Sequence, residues 1–411
     1  MPDIDVLNVQ LYGETIGTIT RLPGDRNLFA FAQAYVDNPE RPTLSLSFKS
    51  AFGELITKVD PVQTRLPRFF SNLMPEGSMR DLLAERAHVN PAREFFLAWV
   101  LGQDLPGALK LVPTNGEEVP ADDGADIAAH NDNEQDDEPA LRFSLAGVQL
   151  KFSAIQEANG GLTIPVDGIG GHWVVKLPST KFKNVPENEF AMMELARRVG
   201  IDVPETQLVN VRDIKGLPKG MENVGDTAFI IKRFDRTDEG GAVHMEDFAQ
   251  IFDVFPEQKY KKASYGNIAH ILWIETGETG VTEFIRRLVF NVLIGNADMH
   301  LKNWSVLYPD RRTPTLAPAY DFVSTIAYLP DDALALTFAG SKKFEEFSFD
   351  QMKRFAGKAG LPEKLTLDTA ATTVETFRTV WRDSGNLPVD DFVRERIDAH
   401  LKIIPMWNTV T

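Results

Sequence analysis

Asp298 and Asn303 stand five positions apart in the stretch GNADMHLKNWSVLY (295–308), with His300 and Lys302 between them. Protein kinases use that spacing in their catalytic loop, where the carboxylate accepts a hydroxyl proton and the amide oxygen holds a magnesium ion. A short loop can fix both distances together: the base must reach an incoming hydroxyl while the amide reaches a metal on the phosphates. Magnesium takes hard oxygen ligands, so a second carboxylate is expected nearby. Asp321 in LAPAYDFVST supplies one. Taken alone, the same pair would also serve a loop whose Asp and Asn only cap its turns. His300 reads either as a hydrogen-bonded loop residue or, beside two Asp, as a metal ligand of a hydrolase.

Other segments bear on that choice. Lys176 follows two valines in HWVVKLP, as does the strand lysine that pairs with ATP phosphates in kinases, although an ordinary strand lysine has the same surroundings. Glu189 and Glu194, in NEFAMMELARRVGI, are both candidates to hold it, Glu189 preferred. FSLAGVQLKFS (143–153) turns at Ala146–Gly147, where backbone N–H groups could approach phosphate oxygens and Lys151 could add charge. A plain hairpin would look the same. IIKRFDR (230–236) leaves a strand where a second lobe begins, so Lys232 to Phe234 suit a hinge that hydrogen-bonds an adenine ring; Arg233 and Arg236 fit surface charges equally well. Turn, strand lysine, helix acid, hinge, Asp-to-Asn loop and metal Asp in this order favour phosphoryl transfer.

These residues need elements to hold them. VLNVQLYGETIGTITRL alternates around Gly13 and Gly17 as a hairpin does, and TLSLSFKS suggests another strand. A helical pattern is expected after Pro75 and Gly77 in SNLMPEGSMRDLLAERA, and a second helix over PAREFFLAWVLGQD ending near Gly102, before a closing strand GALKLVP. HWVVKLPS, ETQLVNV and TAFIIKRFDR read as strands around a helix that Gly200 ends. From about residue 245 the pattern is mostly helical, with strands at WSVLY and LALTF. The expected fold is α/β (α+β) and two-lobed, β-rich first and mainly helical after. Its units are an α+β subdomain (1–115), an acidic linker or mobile loop (116–140), a β-rich nucleotide lobe (141–236) and a mainly helical catalytic lobe (237–411).

The 411 residues carry a net charge of −16 and no cysteine, which rules out disulfides and thiolate metal sites. Ten Asp and Glu, with no Lys or Arg, lie in 116–140, so the rest of the chain carries about −6. Broad nucleic-acid contact is disfavoured, and no basic stripe marks such a surface. The opening MPDIDVLNVQLYGE does not read as a signal peptide, and no apolar run nears the ~18 residues of a membrane span, so a cytoplasmic location is expected.

Together FSLAGVQLKFSA, HWVVKLP, NEFAMMELARRVGIDVPE, IIKRFDR, VLIGNADMHLKNWSV and LAPAYDFVST resemble the HipA toxin kinases of bacterial type II toxin–antitoxin modules. LYGETIGTI, SNLMPEG and GALKL extend the resemblance to the first unit. It implies a protein-kinase-like fold and a serine/threonine protein kinase using ATP and Mg²⁺. Asp298 would be the base, with Asn303 and Asp321 on the metal. ATP would contact Ala146, Gly147, Val148, Gln149, Leu150 and Lys151 in the phosphate loop. Lys176 would meet its phosphates, and Lys232, Arg233 and Phe234 would form the hinge. His300, Leu301, Lys302, Asn303, Tyr320 and Asp321 would complete the site. Ser144 matches the family's autophosphorylation serine. The implied partners are a helix-turn-helix antitoxin, operator DNA through that antitoxin, and a protein substrate such as an aminoacyl-tRNA synthetase. The chain departs from the best-known family pattern at Leu150 and Lys232, both Glu there. Rival readings are a small-molecule kinase, a non-catalytic co-repressor and a metal-dependent hydrolase.

Overall fold

In VLNVQL every second side chain is apolar, so Leu7, Val9 and Leu11 share one buried face. The computed structural model, which describes residues 5–114, 151–156, 162–165, 170–218 and 221–409, builds the first unit on that strand. Strands β1 (Val6–Leu11) and β2 (Glu14–Leu22) form the hairpin, and β3 (Arg26–Phe31) continues the meander. Helix α1 (Gln33–Asp37) and strand β4 (Val62–Gln63) follow, then α2 (Arg68–Ser71), α3 (Gly77–Arg86), α4 (Glu94–Leu101) and β5 (Leu109–Pro113). The sheet runs β4-β3-β2-β1-β5. α4 is apolar on every face after Glu94 and is buried throughout.

One expectation fails in this unit. TLSLSFKS is not a strand: Leu46–Phe48 is a single 3₁₀ turn, capped where the Ser45 hydroxyl accepts the Ser47 N–H at 3.0 Å. Local side-chain bonding of this kind competes with sheet pairing. The same Ser45 hydroxyl donates to Glu246, which also accepts the Leu46 N–H (2.9 Å) and the Tyr308 hydroxyl (2.5 Å). Burial pushes the Glu246 carboxyl up to about 7.

The second sheet contains β6 (Lys151–Gln156), β7 (Leu162–Thr163) and β8 (Trp173–Lys176), then, after helix α5 (Val185–Val199), β9 (Thr206–Asn210), β10 (Ile214–Lys215) and β11 (Thr227–Lys232). Its order is β10-β7-β6-β8-β11-β9. Ala228 and Ile230 of β11 pack into one core with Leu7, Phe95 and Leu111 of the first unit. Phe229 and Ile231 face the other way, into a core with Met192 and Met193 of α5 and the helical lobe. The sheet is therefore buried on both faces, which explains its near-continuous apolar runs.

The helical lobe begins at β12 (His244–Asp247), which leads into α6 (Phe248–Ile251) and the long α7 (Tyr265–Leu293), broken at Gly277. β13 (Ser305–Tyr308) and β14 (Thr315–Leu316) complete an antiparallel sheet in the order β12-β13-β14. Helices α8 (Phe349–Ala359), α9 (Glu363–Arg382), α10 (Asp391–Leu401) and α11 (Pro405–Asn408) close the lobe. LALTF is the second failed expectation: it makes only isolated bridges, Thr337 to Ser264 and Phe338 to Ser341. Its apolar character comes from burial, with the Phe338 ring 4.5 Å from Phe347 and 4.9 Å from Phe355. A short apolar run does not by itself distinguish a strand from a buried coil.

Candidate active site

The Asp-to-Asn loop starts at Gly295, where α7 stops. Its φ of +65° suits glycine, and a Cβ there would lie 2.1 Å from the Ile326 side chain. Asn296, almost wholly buried, then ties the loop together. Its amide donates to Asn291 Oδ1 (2.8 Å) and to the Asp321 carbonyl (3.2 Å), while its oxygen accepts the Asp298 N–H (3.0 Å). Two residues far apart in sequence, Asp298 and Asp321, are thus anchored to one side chain. Asn303 closes the loop by donating from Nδ2 to the Asp298 carbonyl (2.9 Å), so the five-residue spacing is a ring-closing distance.

Lys151 and Lys176 are register partners on neighbouring antiparallel strands and project from the same face. Two cations so arranged repel unless an anion lies between them, and Asp321 takes that position. Lys176 pairs with both Glu189 and Asp321, and Lys151 Nζ lies 3.7 Å from the other Asp321 oxygen. Burial alone would raise the Asp321 pKa, but Lys151 and Lys176 outweigh it and hold the carboxyl well below the usual range. Burial would likewise depress Lys176, yet Asp321 and Glu189 raise it above an ordinary lysine. Asp321 has φ of +59°, an unfavourable backbone for a non-glycine residue that its surroundings must enforce. Glu194, the other candidate, is engaged elsewhere, with Thr206 and Arg197 at 3.2 Å.

Between the lobes lies a cleft of about 850 Å³, counting the space open at its mouth. Lys151, Lys176, Lys302, Tyr320 and Asp321 line it, together with Asn72 and Leu73 from the first unit. At the expected hinge, the Lys232 N–H donates to the Glu205 carbonyl (2.9 Å) and the Arg233 N–H to the His172 carbonyl (2.7 Å). The Phe234 N–H has no partner among the described residues. Both basic side chains turn to other work. Lys232 pairs with Asp238 at 2.9 Å, and the Arg233 guanidinium is bound by Asp104 (3.2 Å) and Asp235 (2.9 Å). The Phe234 ring lies 5.7 Å from that of Tyr320, whose hydroxyl meets Ser305 and donates to the Lys302 carbonyl (3.0 Å).

Sequence reasoning overlooked the support from the first unit. Lys302 donates to the Asn72 carbonyl (2.7 Å) and pairs with Glu76 at 3.0 Å; the second oxygen of Glu76 takes Lys259 at 2.9 Å. Burial would raise Glu76, but Lys302 and Lys259 pull it down to about 2. SNLMPEG was the only trace of this contact in the sequence. Tyr260 was missed as well: its hydroxyl donates to Asp298 Oδ1 at 2.5 Å, and its ring meets the His300 ring edge-on at 4.9 Å. Although Asp298 is exposed, partial desolvation by the surrounding protein raises its pKa above a free carboxyl's, against the Tyr260 hydrogen bond and with Asp321 adding to it. Burial, with Lys259 beside it, lowers His300 to about 3, so it stands as a neutral ring. Leu301 is fully buried core. Ser144, Ala146, Gly147, Val148, Gln149 and Leu150 lie outside the described residues.

The donors present fit a hard cation. Asp321 is held ionised, and Asn303 spends its amide N–H₂ on the loop, which leaves its oxygen facing no described donor. Magnesium is commonly held by one or two protein oxygens with the rest from phosphates and water.

A β-rich lobe, a helical lobe and a cleft holding a lysine–carboxylate cluster beside an Asp-to-Asn loop define a kinase-like protein. The family model described as the HipA-like C-terminal domain matches residues 143–381, and that described as the HipA N-terminal domain matches 7–112. The chain belongs to the HipA family of kinase toxins. A Sinorhizobium fredii protein named "Putative kinase Y4dM" is 54% identical over 99% of both chains. The "Serine/threonine-protein kinase toxin HipA" of Shewanella oneidensis is 27% identical over 74% of this chain and 73% of its own. In fold, the chain matches one in the solved S. oneidensis complex of HipA, HipB and operator DNA. The TM-score is 0.72 at 21% identity, covering 97% of this chain and 96% of that one. Among the described residues, no helix is long and apolar enough to cross a membrane.

Proposed function

We propose that the protein is a serine/threonine kinase that transfers the γ-phosphoryl group of ATP to a protein hydroxyl. One observation carries this reading: Lys176 sits between Glu189 and Asp321 in the cleft, and Asn296 ties Asp321 to the backbone of Asp298. A lysine fixed by a helix carboxylate can meet phosphate oxygens without reorganising, and that preorganisation is the main protein contribution to phosphoryl transfer. Lys151 adds a second charge. The unpartnered Phe234 N–H suits an adenine ring nitrogen. Asn303 and Asp321 would hold Mg²⁺, which when bound supplies charge neutralisation on the phosphates.

In the transfer step the acceptor oxygen forms its bond to the γ-phosphorus as the bond to the ADP oxygen breaks. Asp298 receives the acceptor proton, a role its raised pKa suits. Neutral His300 and the salt-bridged Lys302 keep the loop in shape. The functional units are taken as 1–115, 116–140, 141–236 and 237–411, and Ser144 as an autophosphorylation site.

The relatives support a partner as well. The S. oneidensis complex joins HipA to HipB and operator DNA. This chain, at −16, is suited to a helix-turn-helix antitoxin that brings the positive charge for DNA. An aminoacyl-tRNA synthetase is the expected class of target, in the cytoplasm.

Intact-mass and peptide mass spectrometry after incubation with Mg-ATP tests the reading. The parent should gain a phosphate, on Ser144 first, and Asp298→Asn should lose about 10²–10⁴-fold in rate. Failure of the parent to bind ATP would sink the proposal.

A further inference from the structure

The hydroxyl of Tyr260 makes the contact with Asp298 that a substrate hydroxyl has to make. It donates to Oδ1 at 2.5 Å, an O–H···O⁻ geometry of the strong, charge-assisted kind. Nothing about a tyrosine at this point follows from the Asp-to-Asn loop, since Tyr260 comes from the segment before α7, 38 residues upstream of Asp298.

That segment is gripped from both sides. On one side its neighbour Lys259 reaches across to Glu76 of the first unit (2.9 Å), and Glu76 also holds Lys302 of the catalytic loop (3.0 Å). On the other, Lys342 of the helical lobe donates to the Tyr260 carbonyl at 3.2 Å. The Tyr260 ring stands edge-on to His300 at 4.9 Å, with the Lys259 ammonium 5.7 Å from its own centre. The phenol is held at the base from three directions.

We propose that Tyr260 gates the acceptor site: its hydroxyl occupies Asp298 in the free chain, and an incoming Ser or Thr hydroxyl must displace it. The inference rests on the kinase reading above. Its consequence is a cost charged to acceptor binding alone. ATP enters the cleft lined by Lys151, Lys176 and Asp321, which Tyr260 does not line. A binding-competent state populated only in part weakens apparent affinity by that fraction. Because Glu76 belongs to the first unit, that unit helps to set the strength of the grip.

Tyr260→Phe keeps the ring against His300 and removes only the hydroxyl. The assay uses myelin basic protein as acceptor with Mg-ATP, and mant-ATP binding is measured separately. The variant should lower the acceptor KM by about threefold or more while leaving mant-ATP affinity unchanged. Lys342→Met, which frees the Tyr260 carbonyl and that of Ala335 but leaves the phenol intact, should move the acceptor KM the same way by less, and it serves if the Phe variant misfolds. A Phe variant that labels the acceptor where the parent does not would support the gate more strongly still. An unchanged or higher acceptor KM in an active enzyme would overturn the gate and leave the kinase reading intact. So would two proteins that bind mant-ATP and both fail to label, because lifting the block would have opened nothing. Absence of mant-ATP binding would remove the kinase reading itself, and the gate with it.

Discussion

Two buried charge clusters lie within this fold, and they are finished differently. At the junction of the first unit and the hinge, Arg233 and Arg236 face Asp104 and Asp235, with contacts of 2.7 to 3.2 Å. Backbone groups complete the set, among them the Gly107 N–H to Asp235 and the Leu105 carbonyl. In the cleft, Lys151 and Lys176 face Glu189 and Asp321, also two against two. There Lys151 stays 3.7 Å from its carboxylate and Asp321 sits on unfavourable backbone, whereas Arg233 and Asp235, which line the same cleft, are matched at 2.9 Å. A cluster whose hydrogen bonds are all filled by the protein is a brace. One that keeps a carboxylate ionised yet leaves room beside it is built to receive something else.

Removing one member of each cluster should separate the two. Arg233→Met would leave Asp104 and Asp235 to share Arg236 alone, one buried carboxylate too many, and should cost about 3–5 kcal/mol in urea unfolding, with ATP affinity per folded molecule unchanged. Weak ATP binding at full stability would instead make Arg233 a ligand and break the distinction. Lys176→Met should act the opposite way. Phosphoryl transfer should fall by about 10²-fold, close to the cost of losing one preorganised donor, while stability falls less than in the Arg233 variant.

A smaller effect sharpens the picture at Glu246, where a carboxyl joins the first unit to the helical lobe. Its pKa rises from 4.5 to about 7 on folding. The folded state therefore keeps a proton that the unfolded chain releases in that window, so stability is lost as pH rises from 4.5 to about 7 and levels off above it. Glu246→Gln lacks this proton. The stability difference between parent and variant should shift by up to about 1.4 kcal/mol per pH unit in that window. The neutral His244 nearby is common to both proteins and cancels from the comparison. A difference that ignores pH would mean Glu246 is ionised in the fold.

The motif residues were legible because their chemistry fixes local spacing. Asp298 and Asn303 close one ring, and Lys176 in its strand needs an acid on the next helix, which Glu189 supplies. Arg233, which fitted a surface charge equally well, is buried between Asp104 and Asp235, because residue type alone cannot say whether an arginine meets water or acids brought in by the fold. TLSLSFKS and LALTF misled because alternation and apolarity report burial, and here tertiary partners, Glu246 for one and the phenylalanine cluster for the other, override strand pairing. Glu76, Asn296 and Tyr260 were invisible for a different reason. Each acts through a partner distant in the chain or through a backbone group that the sequence cannot display.

The central claim is that Asp321 and its lysines form the nucleotide–metal site, and its most direct test is mant-ATP titration of parent and Asp321→Asn, each with and without Mg²⁺. The account predicts that Mg²⁺ tightens binding to the parent and that the variant loses this dependence. Equal Mg²⁺ dependence in both proteins would contradict it.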